Sequence, residues 1–391
     1  MIFLTGCTGF LGRELLGRLL VARPTERFCL LVRPSKKESG EQRVKGLLKE
    51  IFGEQSNRYL DRIEIVEGDV SEDRFGLGES AFCELAERVD TVFHCAASTS
   101  LGDSIELCRQ SNVRGTREVL ALSRSSQALR GDCRLHHVST AFVAGDRQDI
   151  VKPDELHTSG SFKNAYEQSK AEAEALVRAE YGRIRTNIYR PSIIVGDSVT
   201  GQTSAFNVIY IPARYLASGL ISMLPGRPNT PIDVVPVDYV ADAIVALSGD
   251  EAATGGCFHL CSGVGREATL REIVEHIVRA VNNYARANYT RVREAIFRTP
   301  EIVAPEMIHL AQASLGLLKQ IWHLLPYMSR NPRFDIGATT RMLHGVLNPP
   351  PLFDLYAPQM FAYCLETNWG KRTWQNPAEL KSWIHRINHF A

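Results

Sequence analysis

The chain has 391 residues, 44% of them hydrophobic and 23% charged, which is enough apolar content to bury one large core or two modest ones. Its 45 Lys and Arg residues stand against 44 Asp and Glu, and a net charge of +1 argues against a broad basic face for nucleic acid. Nine scattered cysteines exclude the dense disulfide framework of a small secreted domain, and the odd count leaves at least one unpaired.

Met1-Ile2-Phe3-Leu4 runs straight into a glycine-rich turn without a charged leader or a cleavage site, so a cytoplasmic protein with reduced thiols is expected. No apolar run reaches the roughly 18 residues of a spanning helix.

In chain order, Met1–Leu4 reads as a short strand and Thr5–Gly12 as a turn. Leu11, Leu15, Leu16, Leu19 and Leu20 then repeat at helical spacing. Phe28–Val32 and Ile63–Val66 are further strands, the second ending at Gly68-Asp69. Thr91–Ala97 is another, followed by a helical stretch over 103–127. Leu135–Val138 leads into Ser139-Thr140. Asn164–Glu180 is a helix and Thr186–Tyr189 a strand ending at Arg190-Pro191. Buried strands alternating with helices predict an α/β fold of the Rossmann type, a doubly wound parallel sheet covered on both faces.

The second half is less regular. Val234-Val235 and Cys257–Cys261 read as strands, Val237–Leu247 and Thr269–Tyr284 as helices. Residues 192–233 hold many of the prolines and glycines. The predicted division is a nucleotide-binding domain from 1–191 and 234–262, with a smaller, mainly C-terminal substrate-binding region from 192–233 and 263–391, lying across the carboxyl edge of the sheet.

Gly6, Gly9 and Gly12 follow a strand and open an amphipathic helix, the setting in which a glycine turn admits a diphosphate to free helix N–H groups. Thr5, Thr8, Phe10 and Leu11 belong to the same loop. An NAD site usually carries an acid about 20 residues on, to hold ribose hydroxyls. Here 33 − 12 = 21 and the residue is Arg33, with Lys36 and Arg43 nearby. A guanidinium suits a phosphate, so NADP(H) is the expected cofactor. Asp69, with Val70 beside it, is placed to accept from an adenine amine. Cys95, Ala96 and Ala97 offer small side chains against which a cofactor can lie.

Tyr166 and Lys170 stand at i and i+4 on one helix face. A tyrosine is a weak acid-base group at neutral pH unless a neighbouring ammonium stabilises its phenolate. Thr140 lies 166 − 140 = 26 residues earlier, at a strand end, where its hydroxyl can meet the same substrate oxygen.

Thr5–Gly12, Asp69, His94–Ala97, Asn112, Ser139-Thr140, Tyr166 with Lys170, and Arg190-Pro191-Ser192 resemble the extended short-chain dehydrogenase/reductases, in the family's order and over roughly residues 1–260. The resemblance implies that Thr140 and Ser139 assist Tyr166 and Lys170, that Asn112 holds the lysine through the active-site helix, and that Pro191, Ser192 and Ile193 border the cofactor. His137–Gly145 and Tyr189–Gly201 resemble the fatty acyl-CoA reductases and the thioester reductase domains that release acyl chains from carrier proteins. Sugar-nucleotide epimerases usually carry Tyr where this chain has Ala144. Phe361–Trp369 resembles a C-terminal piece of acyl-CoA reductases.

This branch implies NADPH-dependent reduction of an acyl-CoA or acyl-carrier-protein thioester to an aldehyde, and leaves open whether a second hydride carries it on to the alcohol. The alternatives are a dehydrogenase, ketoreductase or epimerase for a lipid, sterol-like or sugar-nucleotide substrate, and a non-catalytic NADP(H)-sensing module. The alternation of Cys257, His259 and Cys261 is read as a buried strand rather than a metal site, and His136 and His137 as packed residues. Ala304–Tyr327 has the spacing of a helix that packs the core or a dimer interface. A lid over an acyl channel, lined by Met307, Leu310, Leu318, Ile321, Trp322 and Leu325, or peripheral contact with a membrane is the other reading, in a monomer or homodimer.

Overall fold

The computed structural model describes residues 1–157, 160–219, 223–288, 301–303 and 322–371. Its centre is a sheet of seven parallel strands: β1 (Ile2–Thr5), β2 (Phe28–Val32), β3 (Ile63–Glu67), β4 (Thr91–His94), β5 (Arg134–Val138), β6 (Arg185–Pro191) and β7 (Cys257–Leu260). Their spatial order is β7-β6-β5-β4-β1-β2-β3. The chain leaves β1 towards β2 and β3, then crosses back to β4 on the other side. β1 therefore lies between Phe28 and Thr91, both in register with Ile2. That reversal opens a crevice at the carboxyl ends of β1 and β4, where ligands bind in this architecture.

The strands are buried on both faces because alternate side chains feed two cores. Ile2 and Leu4 pack with Leu15, Leu16, Leu19 and Leu20 of α1 (Phe10–Ala22) on one side; Phe3 packs with Phe75 and Phe82 on the other. Helix α2 (Gly40–Phe52) starts at a capping box, in which Ser39 accepts from the Gln42 N–H and the Gln42 side chain accepts from the Ser39 N–H. Helix α3 (Glu79–Arg88) is, like α2, absent from the sequence reading. Where one long helix is expected over 103–127, the chain forms a short helix at Ile105–Cys108, a π-helical turn at Arg109–Arg114, and α4 (Gly115–Arg130). Helix α5 (Ala165–Arg178) begins at Asn164, whose side-chain oxygen accepts from the Glu167 N–H at 3.0 Å.

A third core joins the Ala141–Ala144 turn after β5 and the Ile193–Val195 strand after β6 to later elements. These are α6 (Tyr210–Ala217), α8 (Leu270–Asn288) and α10 (Phe353–Glu366); α7 (Val237–Gly249) packs instead on α1, and α9 (Gly337–Leu343) follows the Arg333–Phe334 strand. This layer meets the carboxyl edge of the sheet because both turns leave it there. Most of the expected helix at 304–327, including Met307, Leu310, Leu318 and Ile321, lies outside the described residues. Its described end is a turn at Trp322–Leu324 followed by a short helix at Leu325–Ser329. No helix among the described residues is long and apolar enough to cross a membrane.

Candidate active site

Two adjoining cavities lie along the carboxyl edge of the sheet, of about 320 and 260 Å3. Gly6, Gly9, Cys95 and Ala97 line both, so the cleft runs continuously across the glycine turn. The turn is shaped for close approach. Gly6 has φ +74°, and a Cβ there would stand 2.6 Å from the Ala96 nitrogen. A Cβ on Gly12 would overlap the Gly6 carbonyl oxygen. No side chain caps the start of α1 at Gly9, which leaves its first N–H groups free for an anion. The loop thus fits a dinucleotide diphosphate, with Phe10 and Leu11 lining the larger cavity and Thr8 the smaller.

Arg33, Arg43, Asp69, Val70 and Ala96 line the smaller cavity. Arg33 is 68% exposed, and its Nε lies 2.9 Å from Asp69 Oδ2. Arg43 donates to the Arg33 carbonyl at 2.7 Å and to Thr8 Oγ1 at 3.3 Å, so its guanidinium is held at the mouth. Burial alone would raise the Asp69 pKa, but the Ser71 N–H and hydroxyl together with Arg33 hold it below the usual carboxylate value. Asp69 is therefore an ionised partner of Arg33 rather than an unengaged acceptor. Lys36 is exposed and outside the lining. Thr5 lies beneath the cavity floor, bonded to His94 Nδ1 at 2.8 Å and accepting from the Ala96 N–H at 3.3 Å.

At the other end, Tyr166, Lys170, Thr140, Ser139, Pro191, Ser192 and Ile193 surround one space with the glycine turn. Tyr166 sits in the first turn of α5 and Thr140 stands at the end of β5 on the same cavity, where its hydroxyl donates to the Pro191 carbonyl at 3.4 Å and accepts from the Phe142 N–H at 3.3 Å. Burial pushes the phenol up to about 12, with Thr140 opposing the rise, so Tyr166 is a protonated donor at neutral pH. Lys170 Nζ donates to the Val138 carbonyl at 2.8 Å. Burial lowers the Lys170 pKa to about 8 against the pull of Glu174, a shift of the kind acid-base sites require. His94, beneath the site, is held neutral, its pKa pressed to about 3 by burial and then by Lys170.

Ser139, expected to assist Tyr166, and Asn112, expected to hold the lysine through its helix, both have their polar groups engaged by the protein. Ser139 borders the cavity, but its hydroxyl donates to Glu174 Oε2 at 2.6 Å. Asn112 does not line the cavity. Its Oδ1 accepts from the Ser98 N–H at 2.8 Å, and its Nδ2 donates to Ser169 Oγ at 2.9 Å and to the Ser98 carbonyl at 3.1 Å. Ser169 in turn donates to the Tyr166 carbonyl, so Asn112 ties the β4 loop to the start of α5. The π-helical turn is what swings Asn112 into this position.

Glu174 and the cavity's apolar wall, not singled out from the sequence, complete the frame together with Arg190 and the buried histidines. Glu174, one turn beyond Lys170, pairs with fully buried Arg190 at 2.6 and 3.0 Å and with Arg178 at 2.8 Å. The Lys170–Glu174 spacing of four was the available signal. Leu101, Phe142, Val208 and Tyr327 form the apolar wall facing Tyr166, three of them from segments that carry no local motif. His259 uses both ring nitrogens: one lies 3.3 Å from Arg190 Nη1, the other 2.9 Å from the Asp335 carbonyl. His136 and His137 are buried on β5.

A parallel sheet with a glycine turn at its crossover, and a Thr-Tyr-Lys set at its carboxyl edge, define an NAD(P)-dependent oxidoreductase of the extended short-chain dehydrogenase/reductase type. The comparisons make this more specific: the chain belongs to the male sterility protein family of NAD-binding reductases, whose model matches residues 4–244. It is 30% identical over 279 residues to the nonribosomal peptide synthetase asaC of Aspergillus flavus, covering 68% of this chain and 26% of that one. It is 26% identical over 282 residues to a putative fatty acyl-CoA reductase of Drosophila melanogaster, covering 63% of this chain and 51% of that one. The chain thus spans only part of these relatives. Among solved structures, the terminal R domain from the myxalamid PKS-NRPS biosynthetic pathway superposes with a TM-score of 0.75 at 28% identity, covering 95% of this chain and 92% of that one.

Proposed function

We propose that this enzyme reduces an acyl thioester, presented on coenzyme A or on an acyl-carrier protein, to the aldehyde with NADPH, and that a second reduction gives the alcohol. The observation that carries the reading is a pair of hydroxyls, Thr140 and Tyr166, that line one cavity with buried Lys170 and an apolar wall. The similarity to reductase domains of peptide synthetases and to an acyl-CoA reductase supports the same chemistry.

The cofactor's diphosphate would be held by Gly6, Gly9, Gly12 and the start of α1, and its 2′-phosphate by Arg33 and Arg43. Bound there, NADPH supplies the hydride. Tyr166 and Thr140 donate to the carbonyl oxygen as negative charge develops, the preorganised stabilisation that dominates such steps. Lys170, one helical turn from Tyr166 and lining the same cavity, would supply the positive charge that lowers the cost of proton transfer from the phenol. The tetrahedral adduct then expels thiol and leaves the aldehyde. Apolar Leu101, Phe142 and Val208 limit water at this point.

The assay follows NADPH oxidation and free thiol together over a panel of acyl-CoA and acyl-carrier-protein thioesters. Equal release of thiol and consumption of NADPH in the aldehyde-forming step is expected. NADPH-dependent turnover of ketones or secondary alcohols, with no thiol from any thioester, would move the enzyme to a different branch of the same family.

A further inference from the structure

A second cavity adjoins the one that holds Tyr166. Ile193, Val208 and Tyr327 line both, and the second is a narrower pocket of about 40 Å3. The deeper walls of that pocket include Ala213 and Leu216 on α6 and Ile273 on α8. Every side chain lining it among the described residues is aliphatic, thioether or aromatic, and the one polar group is the Tyr327 hydroxyl. That hydroxyl is already engaged: it donates to Glu167 Oε1 at 2.5 Å and accepts from Asn164 Nδ2 at 2.8 Å, both at the start of α5. Lys163 Nζ lies 4.5 Å from the Tyr327 ring centroid. Tyr327 is therefore pinned by its polar end to the helix that carries Tyr166, and only its ring is available to an occupant.

Resting on the thioester reading above, we propose that this pocket is the subsite for the alkyl end of the substrate's acyl chain. A sugar, a nucleotide or a charged group placed there would lose its hydrogen bonds to water and regain none, whereas a hydrocarbon loses nothing. The pocket shares three lining residues with the catalytic space, so it lies directly beside that space, within reach of a chain attached to a carbonyl held there. Taking about 10–15 Å3 of such space for each water-sized group, 40 Å3 holds roughly three or four methylenes. Preference should therefore climb by about fourfold in kcat/KM for each methylene that enters the pocket, and then level off.

The experiment is a straight-chain series of acyl-CoA thioesters on wild type, on Ala213→Leu, which fills the pocket, and on Leu216→Ala, which enlarges it. Ala213→Leu should lower the long-to-short ratio of kcat/KM by about tenfold or more. Leu216→Ala should move the plateau to longer chains, and keeps the test alive if the filled variant does not fold. The same chain-length profile in all three enzymes would overturn the subsite while leaving thioester reduction intact. No thiol from any thioester would overturn the underlying reading instead. The pocket is then read by calorimetric binding of straight-chain alcohols, whose affinity must rise with length in wild type and not in Ala213→Leu; flat binding in wild type overturns it.

Discussion

Lys170 is a buried cation, and the size of its cost to stability follows from its surroundings. The side chain is 2% exposed, with the Val138 carbonyl as its acceptor at 2.8 Å. Burial takes its pKa from 10.5 to about 8, a fall of 10.5 − 8 = 2.5 that corresponds to about 3 kcal/mol against the charged form in the folded chain. Lys170→Met removes the charge and keeps an unbranched stem. It also deprives the Val138 carbonyl of its donor, which costs about 1–3 kcal/mol. The variant should therefore be between equal in stability to the wild type and about 2 kcal/mol more stable near neutral pH, while its turnover falls on the order of 10²-fold or more.

The sign with pH follows from the direction of the shift. A lysine whose folded pKa is depressed imposes its full cost below about pH 8. Between there and 10.5 the folded protein gives up the proton while the unfolded chain keeps it, so stability is regained as pH rises. Any advantage of Lys170→Met should shrink between about pH 7 and about pH 10 in urea unfolding of the two proteins side by side. A variant several kcal/mol less stable at neutral pH, with a gap that ignores pH, would refute the assignment of Lys170 as a buried, destabilising catalytic cation.

Three other substitutions probe separate parts of the site. Arg33→Asp should remove or invert a preference for NADPH over NADH of at least about tenfold, measured by calorimetry on both cofactors; equal affinities in the wild type would dismiss Arg33 as the phosphate ligand. Gly12→Ala forces a Cβ into the Gly6 carbonyl, so the loop must shift and NADPH affinity should drop by more than about tenfold; unchanged affinity would mean that the diphosphate lies elsewhere. Glu174→Gln leaves Arg190 buried without its counter-charge and should cost about 3–5 kcal/mol in thermal or urea unfolding, whereas a neutral outcome would make that pair dispensable.

The doubly wound half was legible because its physics is local. Fully buried parallel strands are short apolar runs, and α1 repeats its leucines at helical spacing. The glycine turn and the Tyr166–Lys170 pair are likewise set by spacing within one turn or one helix. Helix α2 announced itself in Ser39 and Gln42, a capping box that periodicity alone passes over. The π-helical turn at Arg109–Arg114 was hidden because the residues on either side keep an ordinary helical pattern. That the Ser139 hydroxyl donates to Glu174, itself paired with Arg190, could not be read from residues so distant in sequence. The apolar wall was beyond reach: Tyr327 meets Glu167 across 160 residues, and no local motif encodes such a contact.

The proposed reaction requires Tyr166 to assist hydride transfer to a thioester carbonyl. The most direct measurement supplies deuterium on the transferring position of NADPH, with wild type and Tyr166→Phe acting on the best thioester of the panel, and follows the product by mass spectrometry. For each thiol released, wild type should give one labelled acyl product, with one deuterium on the former carbonyl carbon of the aldehyde and two on that of the alcohol. Tyr166→Phe should fold, bind NADPH and form that product on the order of 10²–10³ times more slowly. Label that appears in no acyl product, or a Tyr166→Phe enzyme that works at the wild-type rate, would contradict it.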